Sequence, residues 1–196
     1  MLKQAESILP TKWGVFRMIA YSDSPETANK PHITMMSVDT NIHKPVVVRI
    51  HSECMTGDIF GSVRCDCGEQ LDRALEMTAQ EGGIVLYLRQ EGRGIGIINK
   101  MKAYNLQDKG ANTVDANLHL GFEPDERSYG IAIKMLEDVG VKAIHLMTNN
   151  PLKVEAFDNT SIRVVSRLPI EIPPKKENLD YLRTKKSLMG HLLDLD

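Results

Sequence analysis

Cysteine is scarce in this sequence: there are three, Cys54, Cys65 and Cys67. An odd number gathered in one stretch argues against a disulfide framework and for a reducing compartment. Long apolar runs are missing as well. Nothing approaches the roughly 18 consecutive apolar residues of a membrane helix. Residues 1–10 carry Lys3 and Glu6 and no apolar run of signal length. The expectation is a cytoplasmic protein without a membrane partner. A dominant charge is also lacking. Lys and Arg number 24 against 26 Asp and Glu, a formal net charge of -2, so there is no global basic field for nucleic acid. No internal repeat, low-complexity tract or second-domain boundary interrupts the 196 residues. A single domain over 1–196 is expected, large enough for a substantial core. Its apolar fraction of 42% and charged fraction of 26% are those of an ordinary globular chain.

What is present is concentrated between Arg49 and Leu71, where all three cysteines lie. Thiolates are soft ligands that select zinc. A structural zinc site is closed by four protein ligands, whereas a catalytic one keeps a position open. Three cysteines without a fourth therefore read as a catalytic zinc, one per chain. The bland alternative is three buried small apolar residues. Arg, Asp, Glu, Ser and Gly surround them, so this does not read as a core segment. His51 is the local rival for a fourth ligand, and its binding would close the site.

The rest of the chain predicts an α/β fold, a mixed β-sheet flanked by helices. Residues 1–50 read as mostly β, with strands over Trp13–Tyr21, His32–Val38 and Pro45–Ile50 separated by a polar turn over Ser22–Pro31. Trp13 reads as a core or edge anchor. Residues 51–168 read as α/β and carry the zinc and nucleotide residues. Leu71, Ala74, Leu75 and Thr78 recur at helical spacing, and Gly82-Gly83 stops that helix. Ile84–Leu88 is a continuous apolar run, as in a buried strand. Gln90-Glu91-Gly92-Arg93-Gly94-Ile95-Gly96 follows, then a helix over Ile97–Lys109. A glycine-rich loop between strand and helix presents backbone N–H groups to an anion, although it matches neither the dinucleotide fingerprint nor the P-loop. From Ile84 to Tyr104 four cations (Arg89, Arg93, Lys100, Lys102) face one anion (Glu91), a local net +3 suited to a polyphosphate.

Ala111–Leu120 reads as a polar loop. Asp125 is a plausible N-cap for a helix through Val139, which would make Asp125-Glu126-Arg127 a cap with solvated first-turn charges. Ala143–Met147 is a strand. Thr148-Asn149-Asn150-Pro151 then opens another helix, with Lys153 opposing its dipole in the first turn. Ile162–Val165 is a last strand. Residues 169–196 read as a proline-rich connector to Lys176 and a terminal helix or tail over Leu179–Leu193.

His51-Ser52-Glu53-Cys54, Arg64-Cys65-Asp66-Cys67-Gly68, Arg89 to Gly96, Asp125-Glu126-Arg127 and Thr148-Asn149-Asn150-Pro151 together resemble GTP cyclohydrolase II, in one register over essentially the whole chain. No motif position departs from the pattern. The resemblance implies zinc-dependent hydrolysis of the guanine imidazole ring of GTP by water attacking carbon 8. Formate and pyrophosphate leave, and a diamino-ribosylamino-pyrimidinone phosphate remains, the first committed product of riboflavin biosynthesis. By the same resemblance Cys54, Cys65 and Cys67 hold zinc. Arg49, Ile50, His51, Ser52, Glu53, Gln70, Glu91, Gly92, Arg93, Thr113, Thr148 and Lys153 line the GTP site, with Gln70 and Glu91 suited to the guanine edge. Tyr104 lies near the active site, Asp125 is the proton acceptor, and Arg127 is the proposed nucleophile. A guanidinium is a poor nucleophile while protonated, so a phosphate clamp remains open for Arg127. Magnesium accompanies the triphosphate, and a homodimer is implied. The family often carries a fused dihydroxybutanone-phosphate synthase domain. The present length suits the monofunctional form.

Two rivals stand beside this reading. A zinc nucleobase deaminase needs His-x-Glu and Pro-Cys-x-x-Cys motifs, and neither occurs. A non-catalytic, zinc-stabilised nucleotide-binding module needs a closed four-ligand site.

Overall fold

In a computed structural model, residues 2–24 and 29–195 are described. The described residues form seven strands: β1 (Leu2–Pro10), β2 (Val15–Ser22), β3 (His32–Ser37), β4 (Val46–Ser52), β5 (Gly83–Leu88), β6 (Ala143–Met147) and β7 (Arg163–Leu168). Among the described residues seven α-helices accompany them: α1 (Met55–Asp58), α2 (Cys67–Glu81), α3 (Gly96–Gln107), α4 (Thr113–His119), α5 (Gly130–Asp138), α6 (Pro151–Glu155) and α7 (Leu179–Leu188). A short 3-10 turn over Glu91–Gly94 precedes α3. No helix among the described residues is long and apolar enough to cross a membrane.

The strands form one mixed sheet in the order β1-β2-β3-β5-β4-β6-β7, bearing out the α/β expectation. β1, β2, β3 and β5 pair antiparallel in succession, whereas β4, β6 and β7 run parallel. By contact the chain divides into two compact units. The first comprises residues 1–51, 71–89 and 129–170, and the second residues 52–70, 90–128 and 171–196.

The first unit contains the sheet and its core, and side-chain alternation sorts that core into two layers. Ile19, Tyr21, Val46, Val48, Ile50, Ile84, Leu86 and Leu88 pack with Ala132, Met135 and Leu136 of α5. Their alternates Phe16, Val47 and Val85 pack with Ala74 and Leu75 of α2. This is why β4 and β5 read as continuous apolar runs: both faces are covered. Trp13 packs at the margin of the second layer, as anticipated.

Several boundaries and three elements, β1, α1 and α4, differ from the sequence reading. β1 was not foreseen. It is an edge strand exposed along its length, so it lacks apolar alternation, and it is held by its ladder to β2 and by Arg17 of β2 against Glu6. Residues 111–120 are not a loop: α4 occupies Thr113–His119, because the Asn112 side chain accepts from the Val114 and Asp115 N–H groups and caps it. The helix expected from Asp125 begins only at Gly130, after Tyr129. The terminal helix ends at Leu188 rather than Leu193. Of the polar turn expected over residues 22–31, residues 25–28 lie outside the described residues.

Candidate active site

The second unit holds the thiolates. β4 leads directly into Cys54, whose backbone N–H donates to Asp58 Oδ2 at 2.9 Å and opens α1. Cys67 is the first residue of α2. The Cys54, Cys65 and Cys67 sulfurs lie within 4.8 Å of one another, with Cys54 Sγ and Cys65 Sγ 3.6 Å apart. Tetrahedral zinc with bonds near 2.3 Å separates its sulfurs by about 3.8 Å, so the three donors suit that metal. The only cluster of His, Cys, Asp and Glu donors with metal-holding geometry found among the described residues comprises these three. His51 belongs to the first unit, where its ring stacks on Tyr87 at 5.6 Å. Contrary to the non-core reading of this stretch, Cys54 and Cys65 are buried. Of the polar residues around them Glu53, Asp66 and Gln70 are buried, whereas Arg64 and Glu69 are exposed.

Lys100, which entered the sequence reading only as one of four cations, donates from Nζ to Cys54 Sγ at 3.1 Å and to Glu91 Oε1 at 2.8 Å. Hydrogen bonds from Cys65 and Cys67, joined by the Lys100 charge, pull the Cys54 thiol far below its usual range. The Cys65 thiol is correspondingly pushed up to about 11, chiefly by its bond to Cys54, and Cys67 is raised for the same reason. The cluster thus favours one thiolate shared between two thiol donors and an ammonium when no metal neutralises the sulfurs.

Glu91, expected at the guanine edge, is engaged locally. Oε2 accepts from Met55 N at 2.6 Å, and Oε1 accepts from Gly92 N at 2.7 Å as well as from Lys100. Gln70 Nε2 donates to Asp66 Oδ2 at 2.5 Å. Tyr104 lies 3.4 Å from Thr56 Oγ1, and burial raises its pKa, so it is a neutral hydroxyl near pH 7. In the glycine-rich turn Gly92 and Arg93 both adopt left-handed φ, 62° and 61°. Arg93 Nη1 donates to Thr113 Oγ1 at 3.2 Å, while its carbonyl accepts from Glu126 N at 3.0 Å, joining this turn to the Asp125 loop. Side-chain capping therefore brings Thr113 to Arg93 on α4, where a loop had been expected.

Asp125 caps no helix. It accepts from Arg127 Nε at 2.8 Å and Nη2 at 2.5 Å, and from the Arg127 backbone N–H at 3.1 Å. Burial alone would raise its carboxyl, but the Arg127 hydrogen bonds and charge outweigh this and hold it below the usual value. The first-turn charges of the sequence reading are thus a half-buried, bidentate pair in an irregular loop.

In the first unit, residues 49–51 and 148–150 sit at the C-terminal ends of the parallel strands β4 and β6, a sheet end that commonly binds ligands. Arg49 Nη1 donates to the Met147 carbonyl at 3.1 Å. The Thr148 hydroxyl accepts from Asn150 N at 3.0 Å, and the Asn150 side chain caps α6 through Leu152 N. Lys153 is buried, donates to the Ile50 carbonyl at 2.7 Å and lies 5.5 Å from the Tyr129 ring. Its cost against the α6 dipole is offset by that carbonyl, which the sequence reading had not foreseen. Of the other expected residues, Ser52 and Glu53 fall in the second unit, Glu53 buried.

A family model described as GTP cyclohydrolase II matches residues 3–169. The chain is 50% identical over 194 residues to a riboflavin biosynthesis protein RibBA of Bacillus cereus, covering 98% of this chain and 48% of that protein. The namesake of Bacillus mycoides is 49% identical over the same coverage, and that of Bacillus cytotoxicus 48%. The chain spans about half the length of these curated relatives.

Proposed function

The chain belongs to the GTP cyclohydrolase II family, and from that premise we propose that it opens the imidazole ring of GTP by zinc-dependent hydrolysis, releasing formate and pyrophosphate in riboflavin biosynthesis. The observation that carries this reading is the convergence of three sulfurs, within 4.8 Å, beside the Lys100 ammonium. Cys54, Cys65 and Cys67 hold the zinc, which when bound supplies an activated water near neutral pH. Every other role falls to the chain's own side chains. Lys100 offsets thiolate charge. Glu91, tied to Met55 N and Lys100, keeps the α1 segment against the cluster, and both it and Gln70, which is tied to Asp66, are assigned to the guanine edge. Tyr104, a neutral phenol whose pKa burial raises further, serves as a hydrogen-bond donor.

Asp125 and Arg127 act as a pair. An Asp held below its usual pKa is a weak base, so Arg127 stays a guanidinium and clamps phosphate charge as pyrophosphate leaves. Arg93, Thr113 and the Gly92 backbone are assigned to the substrate, as are Arg49, Ile50, His51, Ser52, Glu53, Thr148 and Lys153. Magnesium travels with the triphosphate. The single catalytic domain, the homodimer and the cytoplasmic location expected from the sequence are parts of the same proposal. Three free cysteines support the reducing compartment.

The test is direct. Purified protein is incubated with GTP or ATP and magnesium, and formate and pyrophosphate are assayed. Formate from GTP, with discrimination against ATP on the order of ten-thousand-fold, is expected of a site that hydrogen-bonds the purine edge. Equal release from both nucleotides, or none from GTP by zinc-loaded protein, overturns the reading.

A further inference from the structure

Helix α7 lies beyond the span matched by the family model, yet it reaches the thiolate segment within the second unit. Its Lys185, half-buried, donates from Nζ to the buried Asp66 Oδ1 at 2.9 Å. Asp66 is the residue between Cys65 and Cys67. Its other carboxylate oxygen accepts from Gln70 Nε2 at 2.5 Å, and its carbonyl accepts from Gln70 N at 3.0 Å. The Lys185 ammonium also lies 4.6 Å from the Tyr181 ring centroid, one turn earlier on α7, and the Arg93 guanidinium lies 5.7 Å from that same ring. Burial alone disfavours a charged lysine, but the Asp66 carboxylate beside it favours the ammonium, and its pKa lies above the usual value.

We propose that Lys185 is a positioning residue for the metal centre: through Asp66 it holds the Cys65–Cys67 segment in the conformation that presents both sulfurs to zinc. This rests on the reading of the three cysteines as the zinc site. The Cys-Asp-Cys spacing places a carboxylate between two thiolates, an anionic arrangement that repels itself unless a cation balances it. Lys185 is that cation for Asp66, as Lys100 is for Cys54. Outer partners of metal ligands typically change metal affinity by about ten- to a hundredfold.

The experiment measures zinc affinity of the full chain by chelator competition, together with the absorption spectrum of the cobalt-substituted protein. The variants are Lys185→Met, Lys185→Arg and Leu182→Ala, the last loosening the buried side of α7 while leaving Lys185 in place. Expected are a ten- to hundredfold loss with an altered thiolate-to-cobalt band for Lys185→Met, substantial rescue in Lys185→Arg, and little change in Leu182→Ala. Unchanged affinity and spectrum in Lys185→Met, or an equal loss in Leu182→Ala, overturns the proposal. Should Lys185→Met fail to fold, Asp66→Asn removes the same pairing charge with an isosteric side chain and decides in the same way. Wild-type protein that binds no zinc under reducing conditions instead defeats the underlying reading of the cysteines.

Discussion

Three thiolates around one zinc ion would leave the proposed centre with a net charge of about −1, and electron-rich sulfurs weaken a metal as a Lewis acid. Lys100, 3.1 Å from Cys54 Sγ, would offset that charge without occupying a coordination position. Lys100→Met should therefore lower formate release and zinc affinity together, each by about ten- to a hundredfold, as read from initial rates and chelator competition. Unaltered zinc affinity would leave Lys100 as a substrate contact only. Asp125 supports a second residue-level prediction, on pH. Its folded carboxyl is held below the 3.8 of an isolated Asp by Arg127. A depressed carboxylate pKa contributes stability above the unfolded value, and that stability is lost as pH falls through the folded value. The difference in melting temperature between wild type and Asp125→Asn should accordingly stay constant through neutral pH. It should close as pH drops below about 3.9. A difference that changes between neutral pH and pH 6 would assign the titration to another group.

At the scale of elements, the thiolate segment depends on the short helix α1 meeting the start of the 15-residue α2 closely. Gly57 of α1 has no room for a larger side chain, since a Cβ there would come within 3.2 Å of Cys65 Sγ and 3.3 Å of Cys54 Sγ. Gly68, in the first turn of α2, faces the Gly57 carbonyl so closely that an added Cβ would collide with backbone. Backbone cannot rotate aside as a long side chain does. Gly68→Ala should therefore separate the two helices, costing about 1–3 kcal/mol as overpacking generally does. It should also weaken zinc binding more than a helix-favouring substitution otherwise would. Thermal melting and zinc content of the variant check this, and a protein as stable and as metal-rich as wild type would show that the approach is not needed. The glycine that ends the Cys-Asp-Cys-Gly run is thus explained by sterics rather than by turn conformation, since it is not among the positive-φ residues.

For the molecule as a whole, metal and substrate chemistry should be separable. A ligand that binds only the folded state stabilises it by about 4 kcal/mol at a thousandfold its dissociation constant, so chelation should lower the melting temperature as well as abolish formate release. Cys54→Ser should lose formate release while retaining some pyrophosphate release, with GMP accumulating. Arg127→Ala should lose pyrophosphate release. Following all three products over time checks the division, and loss of both activities in folded Cys54→Ser would mean that zinc also organises the phosphate-binding residues.

The sequence by itself determined the covalently local features. Two-sided burial made β4 and β5 visible as apolar runs, helical spacing revealed α2, and Cys54, Cys65 and Cys67 stood out as one donor set because the ligand chemistry is written in residue type, and their sulfurs do converge within 4.8 Å. Only the tertiary structure decided how the charges are paired. Asp125 bonds Arg127 instead of a helix N-terminus, Lys153 bonds the Ile50 carbonyl, and Asp66 meets Lys185 from more than a hundred residues away (|i−j|=119). Such pairings leave no periodic trace in a sequence. A buried charge must find a partner somewhere, but nothing local says where, and the answer exists only once the chain has closed on itself.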